Sequence, residues 1–542
     1  MKKRIISLLM GIILLSSSCQ DYMDKKHENS DAFTKTKIEY LFAQGILKTI
    51  EMDYSDCYSY NFRLLSTYMQ TAARREGKDR INVYEVKDDK TRWNNYYITR
   101  MSLLTEIENI YTTLNSAGQE EYRPYIEAGK ILKAFNTSIA TDFFGNMPYS
   151  EAFTARNPLY GGSVNFKPKY DDQKDIYYAI LNDLKAASDY FKSASLNETE
   201  AQAAFPRQDI LYKGNLTNWY KFANSLRLRY AMRISNVDPE KAKKVLSEIT
   251  LTDLITTNQD NAVLLVDGSI YNFADKAIWR ALKESHNKTN GYYAYAPELM
   301  TTTMKAANDP RMQVLFQPAS DDEGKAYNNN QEIIPYPSSA DAAIALLNGT
   351  TADKILHTYA LYNTTTIRKN SKFPVGIAMT AAETYLCLAE AAARNLITGN
   401  AEEFYNRSII LSVQNYYNYY VQSDSKETKV EAIANTDVSD ATLLAWINSS
   451  SYRYSASRIL EQIATQKWMH LNILQPYENW AEYRRTDLPV LLDDKEKGAL
   501  LNKENMPVRF LYPSTEASMN TENYNQQSEN NKTDAHLWWD IK

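Results

Sequence analysis

The residues that could carry out acid–base, nucleophilic or metal chemistry are few and scattered in this chain. Five histidines occur in 542 residues, namely His27, His286, His357, His470 and His536. None has the spacing of a ligand motif such as H-E-x-x-H, and no cysteine pair completes a metal site. A G-x-S-x-G nucleophile motif and a phosphate-binding glycine loop are also absent from the sequence. The sequence therefore predicts no catalytic residues, no cofactor and no metal site, so we interpret the chain as a protein other than an enzyme.

Two groups of acidic residues leave alternatives open. The adjacent pairs Glu402/Glu403 and Asp493/Asp494 could supply the two carboxylates of a glycosidase. Charge clusters of this kind more often form a solvated surface. The run Asp321–Glu323 could hold a structural calcium ion, although its spacing is not that of an EF-hand and nothing else in the sequence indicates one.

Aromatic residues are the more informative group. The chain contains 41 tyrosines, and a tyrosine ring packs against apolar surface while its hydroxyl forms hydrogen bonds. Flat apolar sugar faces stack on such rings, and sugar hydroxyls need polar side chains at the rim. The candidate ligand-binding residues are Trp93, Asn95 and Tyr96 after the first helix pair, and Tyr271, Trp279, Tyr292 and Tyr293 in a later polar segment. The alternative for each aromatic candidate is that it packs in the core.

The elements that position these residues are predicted to be helices. Apolar residues recur every three or four positions from Tyr125 to Phe143, which indicates one face of a long helix that ends at Gly145. Thr380 and Glu383 have the spacing of a capping box. Further N-terminal helix signals are the N-cap candidates Asp171 or Asp172, Asp238 and Asn400, with Pro239 at the first helical position after Asp238.

The arrangement of these helices predicts an all-α fold, a tetratricopeptide-like scaffold of helix pairs with a loop-rich ligand-binding face. The small residues Ala389, Ala391 and Ala392 allow close helix contacts, although no clean repeat of about 34 residues is present. No long stretch alternates with period two, which argues against a large sheet. Long polar segments at roughly 256–300, 320–375 and 420–450 supply the loops.

The N-terminus has the layout of a lipoprotein signal. A basic segment, Lys2–Arg4, precedes an apolar run, Ile5–Leu15, which is shorter than the roughly 20 residues that span a bilayer. Small residues then lead to Cys19, so we predict a cleaved signal over 1–18 and lipidation of Cys19. Residues 19–36 are polar and predict a flexible tether. The alternative is an ordinary secretory signal with an incidental cysteine.

Net charge and cysteine content limit the function further. Removing residues 1–18 takes away three positive charges and moves the formal net charge from −5 to −8. An acidic protein without a basic block is a poor candidate for nucleic-acid binding. Cys57 and Cys387 remain after lipidation, and two distant cysteines form no disulfide framework.

Several segments, in this order, resemble one family. They are Asp142–Ala152, Asp209–Ser235, Asn308–Arg311, Ala381–Asn395, Phe404–Asn406, Thr465–Pro489, Pro507–Asn520 and Trp538–Asp540. Together they look like the SusD/RagB family of nutrient-binding outer-membrane lipoproteins, in its SusD-like branch. The resemblance runs from the predicted lipidation site to the last residues.

The resemblance implies one SusD-like helical domain over 37–542, at the outer membrane and facing the cell exterior. It also implies a partner, a SusC-like TonB-dependent transporter, to which the lipoprotein delivers an oligosaccharide or, in some members, an oligopeptide. We expect the motif residues Arg484 and Arg485 to satisfy helix ends or carboxylates inside the scaffold. A glycoside-acting enzyme and a scaffold that binds only proteins are the competing hypotheses.

Overall fold

The computed structural model describes residues 36–75, 89–265, 277–285, 292–320, 332–337, 357–367, 372–424, 429–492 and 506–541, together with isolated positions between 342 and 355. Helices dominate this part of the chain and the strands are short, which confirms the predicted helical fold class. None of the helices in these ranges combines the length and the apolarity of a bilayer-spanning segment.

The described helices are of three types. The α-helices are Ile38–Ile50, Ser66–Tyr68, Lys90–Asn94, Ser102–Thr112, Ser116–Phe144, Gln173–Ser193, Glu200–Gln208, Leu216–Ile234, Pro239–Ser247, Ala277–Ser285, Glu298–Ala306, Met312–Leu315, Ala381–Ala393, Ala401–Val421, Glu431–Ala434, Asp440–Ser449, Ile459–Leu471, Pro476–Thr486, Ser514–Met519 and Thr521–Asn525. Asp56–Leu65 and Asn95–Arg100 are π-helices, and Thr154–Tyr160, Leu251–Asp253 and Asn258–Asp260 are 3₁₀-helices.

The long helices pack in pairs that follow one another along the chain. Gln173–Ser193 lies between Ser116–Phe144 and Leu216–Ile234, and Ala381–Ala393 packs on Ala401–Val421. The predicted small residues of Ala381–Ala393 are buried, and Ala389 and Ala391 have no exposed surface. Stacked helix pairs of this kind form the tetratricopeptide-like scaffold expected from the sequence.

Most of the predicted helix ends are confirmed, but Asp172, at the N-cap position of Gln173–Ser193, forms no side-chain cap hydrogen bond. The long helix ends at Gly145, whose φ of 73° is a conformation that glycine adopts without strain. The carboxylate of Asp238 accepts a hydrogen bond from the Lys241 backbone N–H at 3.0 Å. Thr380 also caps its helix, accepting from the Glu383 N–H at 3.3 Å. The prediction of a full capping box is wrong. The Glu383 carboxylate accepts hydrogen bonds from Arg229 and not from the Thr380 backbone N–H.

A network of buried charges joins the helix pairs. Arg233 is fully buried and donates to Glu478 at 2.6 Å and to Glu482 at 3.0 Å. Arg485 donates to Glu390 and Glu482, and Arg484 donates to the backbone carbonyls of residues 142 and 508. The expectation that Arg484 and Arg485 serve the scaffold is therefore confirmed. Opposite charges and carbonyl oxygens around a buried guanidinium offset the free-energy cost of removing it from water.

Two small antiparallel sheets complete the described fold. Ala73–Arg75, Tyr292–Tyr295, Leu361–Tyr362 and Phe316–Gln317 form one sheet in that order, and Ala262–Leu264 pairs with Gly376–Met379 in the other. Each strand has two to four residues. Within the described ranges this agrees with the prediction that the chain builds no large sheet.

Cys57 and Cys387 are buried thiols. Cys57 and Cys387 are unpaired and lie in different parts of the core. Burial raises the pKa of the Cys387 thiol to about 12, so that it stays protonated at neutral pH. Neither thiol forms a disulfide, as the sequence predicted.

Candidate ligand-binding site

Two π-helices form the base of the candidate site. Wide helical turns of this kind are rare and often occur at functional sites. Asp56 begins the first of them, Asp56–Leu65, and its carboxylate forms ion pairs with Arg92 and with Arg100, the last residue of the second π-helix. The three charged side chains are mostly buried, so the pairs fix one π-helix against the other.

Further contacts hold both arginines in place. The Arg92 guanidinium carbon lies 3.8 Å from the centroid of the Tyr60 ring, a cation–π contact. Arg100 donates to the Thr49 carbonyl oxygen at 3.1 Å and to the Asn136 amide oxygen at 3.3 Å. The base of the site is therefore a rigid, hydrogen-bonded structure.

A small cavity lies between the π-helices. Its volume is about 50 Å³, and its lining includes Asp56, Arg92, Asn95, Tyr96 and Arg100. A cavity of this size is small for an oligomeric ligand. We therefore place the ligand contacts on the surface beside it.

A stacked pair of tyrosines lies on that surface. The ring centroids of Tyr54 and Tyr58 are 5.5 Å apart and the ring planes differ by 9°. Both side chains are half-buried. The Arg280 guanidinium carbon is 4.5 Å from the Tyr54 ring centroid, and the Tyr54 hydroxyl donates to Glu284 at 2.5 Å. Burial and the Glu284 carboxylate raise the pKa of Tyr54, so its hydroxyl remains a donor.

The fold brings several predicted segments to this tyrosine pair. The helix Ala277–Ser285, the strand Tyr292–Tyr295 and the π-helix Asp56–Leu65 contact one another. Trp279 is a half-buried residue of that helix. Asn95 reaches the same region, because its amide donates to the Asp53 carboxylate at 3.2 Å, next to Tyr54. We call Tyr54, Tyr58, Arg280 and Asn95, together with the candidate Trp279 next to Arg280 in the chain, the aromatic face.

Two of the predicted ligand-binding residues are core residues in the structure. Trp93 is 6% exposed and packs edge-on against Phe144 and Tyr512. Tyr96 is 3% exposed, and its hydroxyl lies 2.9 Å from that of Thr137. These contacts favour the packing alternative for both residues, so we place the ligand contacts at the other candidates.

Trp93 also takes part in a buried polar contact. The Tyr170 hydroxyl donates a hydrogen bond to Glu516 Oε2 at 3.0 Å. The Trp93 side chain also forms a hydrogen bond with Glu516. Burial raises the pKa of Glu516, and these hydrogen bonds oppose the shift. The contact attaches the short helix Ser514–Met519 to the scaffold.

The remaining predicted residues divide into two groups. Tyr271, Cys19, the run Asp321–Glu323 and the pair Asp493/Asp494 lie outside the described residues. Tyr292 and Tyr293 begin a described strand, but their side chains lie outside what the structure describes. Glu402 and Glu403 are exposed in the first turn of Ala401–Val421, where carboxylates stabilise the helix dipole.

Sequence reasoning missed Tyr54, Tyr58 and Arg280. The available signal was the spacing of four between the two tyrosines, which places both rings on one side of a helical segment. Arg280 gave no signal, because it is 226 positions from Tyr54 and meets it only in the folded chain.

The fold and the site define a tetratricopeptide-like helical protein that presents aromatic and charged side chains on one face. A family model described as "SusD-like_2: Starch-binding associating with outer membrane" matches residues 30–513. The chain belongs to this SusD-like family. None of the proteins with curated descriptions matches it.

Solved structures show the same fold. A chitin-binding protein is 21% identical with a TM-score of 0.71, over 93% of this chain and 100% of the other. A structure described as "Bacteroidetes AC2a SusD-like" is 22% identical with a TM-score of 0.71, over 94% of this chain and 100% of the other. A SusD homologue from Bacteroides uniformis is 23% identical with a TM-score of 0.67, over 93% and 99%. At this level of identity the likeness establishes the fold alone.

Proposed function

We propose that the mature chain is a lipid-anchored protein of the outer cell surface, attached through Cys19, that binds a nutrient oligosaccharide and delivers it to a SusC-like TonB-dependent transporter. Family membership supports the location and the nutrient-binding role. The single observation that supports a glycan ligand is the stacked, half-buried pair Tyr54/Tyr58 beside Arg280 and Glu284.

The chemistry of the aromatic face suits a sugar chain. The stacked rings of Tyr54 and Tyr58 are half-buried, and their accessible edges offer apolar surface for the C–H groups of a sugar chain. Arg280 is partly exposed and Glu284 lies next to it, with 3.3 Å between the guanidinium and the carboxylate. Together they supply donors and acceptors for sugar hydroxyls. The rigid base of ion pairs beneath the face limits the ordering that binding requires.

The second candidate is the same uptake role with an oligopeptide ligand. Its support is weaker, because extended peptides bind best to free sheet edges or apolar grooves. Tyr54 and Tyr58 instead form a stacked pair on a helical segment. We propose no catalytic step on the aromatic face, since the Glu284 carboxylate already accepts from Tyr54 and pairs with Arg280.

The test is a calorimetric and thermal-shift screen of residues 20–542 against panels of oligosaccharides and oligopeptides. We expect saturable binding of one glycan class, and Tyr54→Ala should weaken it by about 1–3 kcal/mol, the range of aromatic contacts at binding sites. Tyr40→Ala is the matched control, because Tyr40 is 61% exposed on the separate helix Ile38–Ile50. Binding of peptides alone would replace the glycan proposal with the second candidate, and equal affinity of the two variants would place the site elsewhere.

A further inference from the structure

Three of the most exposed apolar side chains lie on neighbouring segments of the surface. Phe166, Leu159 and Met519 are 78%, 71% and 70% exposed. Among the large apolar side chains of the described ranges, only Val490, at 71%, is as exposed as these. Leu159 and Phe166 belong to one loop, and Met519 ends the short helix Ser514–Met519. A group of exposed apolar side chains of this kind marks an interaction surface.

The loop that carries Leu159 and Phe166 is closed by its own hydrogen bonds. The Asn165 backbone N–H donates to the Thr154 hydroxyl at 2.7 Å, and this hydroxyl donates to the Asn165 carbonyl oxygen at 3.1 Å. The Asn165 side chain also donates to the Glu151 carboxylate at 3.0 Å. Compact loops of about 6–16 residues with their ends held together are frequently functional. The two apolar side chains therefore remain in solvent on a backbone of defined shape.

Met519 is held beside this loop by the residue that follows it. The Asn520 side-chain amide donates to the Pro168 carbonyl oxygen at 2.8 Å. Met519 directly precedes Asn520, and Phe166 lies two positions before Pro168. The loop and the end of the helix therefore present their apolar side chains on adjoining parts of the surface.

Basic side chains adjoin the apolar ones. Lys167 and Lys169 follow Phe166 in the sequence and are exposed. The ion pairs of the loop within the described ranges are Lys169 with Glu151 at 3.8 Å and Arg156 with Glu106 at 2.9 Å, which leaves Lys167 without one. The adjoining short helices carry the carboxylates Glu516 and Glu522. We call the following set the Phe166 patch: Leu159, Phe166, Lys167, Lys169 and Met519.

A lipid bilayer fits the Phe166 patch better than a sugar or a folded protein does. Leu159 and Met519 have no ring on which a sugar could stack. The residues that dominate protein–protein binding lie in well-packed pockets, whereas these side chains protrude separately into solvent. Aromatic and aliphatic side chains next to lysines are suited to the boundary between lipid chains and headgroups, where the ammonium groups meet phosphate.

The patch is close to the part of the chain that leads to the proposed lipid anchor. The 3₁₀-helix Thr154–Tyr160 packs on Ser102–Thr112, and that helix packs on Ile38–Ile50, the first described helix. Packed helices lie about 8–10 Å apart, so two packing distances separate the loop from Ile38–Ile50. Residues 19–36 span up to about 60 Å when extended. This length allows the patch to reach the membrane that holds the anchor.

We infer that the Phe166 patch inserts into the surface of a lipid bilayer, with Lys167 and Lys169 at anionic headgroups. The inference rests on the proposed function only for the presence of a membrane. The patch by itself binds reversibly, because one small apolar group gives marginal membrane affinity, so the lipid at Cys19 remains the anchor. Attachment at both points restricts the orientation of the protein on the membrane.

The experiment is co-sedimentation of unlipidated residues 20–542 with vesicles of phosphatidylcholine and phosphatidylglycerol in equal parts. The variant combines Leu159→Ser, Phe166→Ser and Met519→Ser. We expect it to bind at least about tenfold more weakly, because three apolar side chains no longer leave water. The matched control is Val490→Ser, which removes an equally exposed apolar side chain beside the helix Ile459–Leu471. Equal thermal unfolding of all three proteins excludes a folding defect.

Two further changes test the chemistry of the contact. Phe166→Trp should bind the vesicles at least as tightly as the wild type, because an indole ring favours the membrane interface. Lys167→Gln and Lys169→Gln should each weaken binding about fivefold on these anionic vesicles. High salt should reduce the lysine effect, since it screens exposed charges.

The outcomes separate this inference from the proposed function. A wild type that does not sediment with the vesicles would overturn the inference, and so would equal binding by the triple variant. Neither result affects glycan binding measured by calorimetry, which tests the proposed function. If the wild type ignores vesicles but the triple variant no longer co-purifies with the transporter, the patch is a protein contact and the inference is wrong.

Discussion

The guanidinium of Arg229 and the carboxylate of Glu383 form a two-point ion pair between the helices Leu216–Ile234 and Ala381–Ala393. Arg229 Nε lies 2.7 Å from one carboxylate oxygen and Nη2 lies 2.5 Å from the other. The Glu383 side chain is fully buried and Arg229 is 2% exposed. The pair links two stacked helix pairs at a point where no solvent reaches.

Glu383→Gln should destabilise the fold strongly, because it leaves a buried guanidinium without its counter-charge. We expect the free energy of unfolding to fall by about 3–5 kcal/mol, measured by urea denaturation. The control is Asp189→Asn, which breaks an exposed pair with Lys185 and should change stability by less than about 1 kcal/mol. Equal effects of the two substitutions would contradict a structural role for the buried pair.

We predict that the folded protein loses stability in acid because His470 is buried in its neutral form. Burial, with the nearby charges of Arg311 and Lys467, lowers its pKa from 6.5 to about 3. The folded protein therefore keeps His470 neutral, whereas the unfolded chain binds a proton below about pH 6.5. Stability due to the neutral ring is complete above that pH and decreases as the pH falls toward 3. Between pH 6.5 and 5 the loss should be about 2 kcal/mol at 1.36 kcal/mol per pH unit.

The check for His470 is urea denaturation of the wild type and of His470→Gln across pH 5–7. The ring nitrogens contact the hydroxyls of Thr380 and Ser412 at 2.8 and 2.9 Å, and an amide can form hydrogen bonds there without titrating. The variant should be less stable at pH 7 but should show a flatter pH dependence. An unchanged slope would mean that His470 does not cause it.

Trp93 and Trp279 should separate stability from binding. Trp93→Ala removes a buried ring that packs against Phe144 and Tyr512, so unfolding should become easier by about 3–5 kcal/mol. Trp279 is only half-buried on the aromatic face, and Trp279→Ala should mainly weaken the glycan, by about 1–3 kcal/mol. Thermal unfolding and calorimetry on both variants test this. If Trp93→Ala weakened glycan binding and Trp279→Ala mainly lowered stability, the ligand-binding site would lie at Trp93.

Alanine substitutions at Gly376 and Gly129 test how closely other atoms approach the two glycines. A Cβ at Gly376 would lie 1.9 Å from the Ile50 carbonyl oxygen, so the strand Gly376–Met379 would have to move. We expect Gly376→Ala to cost about 1–3 kcal/mol or more. A Cβ at Gly129 meets nothing within 4 Å, and alanine there should stabilise its helix by about 0.5–1 kcal/mol. Denaturant midpoints give both values, and a tolerated Gly376→Ala would contradict the close approach.

Cys19 tests the proposed anchor. Cys19→Ala removes the thiol that directly follows the apolar run and the three serines of the signal, so the protein should no longer incorporate labelled palmitate. It should then move from the membrane fraction to the soluble fraction. Cys57→Ala is the control, because Cys57 is a buried thiol and should leave labelling intact. Labelling that survives Cys19→Ala would contradict the lipoprotein assignment.

The sequence by itself determined the helical fold class, several helix ends and the family. Asp238, Thr380 and Asn400 cap their helices as predicted, because an N-cap hydrogen bond depends on residues only two or three positions apart. The same holds for Gly145, since a backbone with positive φ favours glycine whatever packs around it. Motif order along the chain was sufficient to indicate the family.

Only the tertiary structure decided which aromatic residues face solvent. The sequence predicted both Trp93 and Trp279 as ligand-binding residues, yet Trp93 is buried and Trp279 is half-buried. The Glu383 carboxylate likewise leaves its predicted capping position for Arg229, 154 positions away. Arg280 reaches Tyr54 across 226 positions. Such contacts depend on how helices pack, and packing depends on side chains far apart in the chain, so no local pattern encodes them.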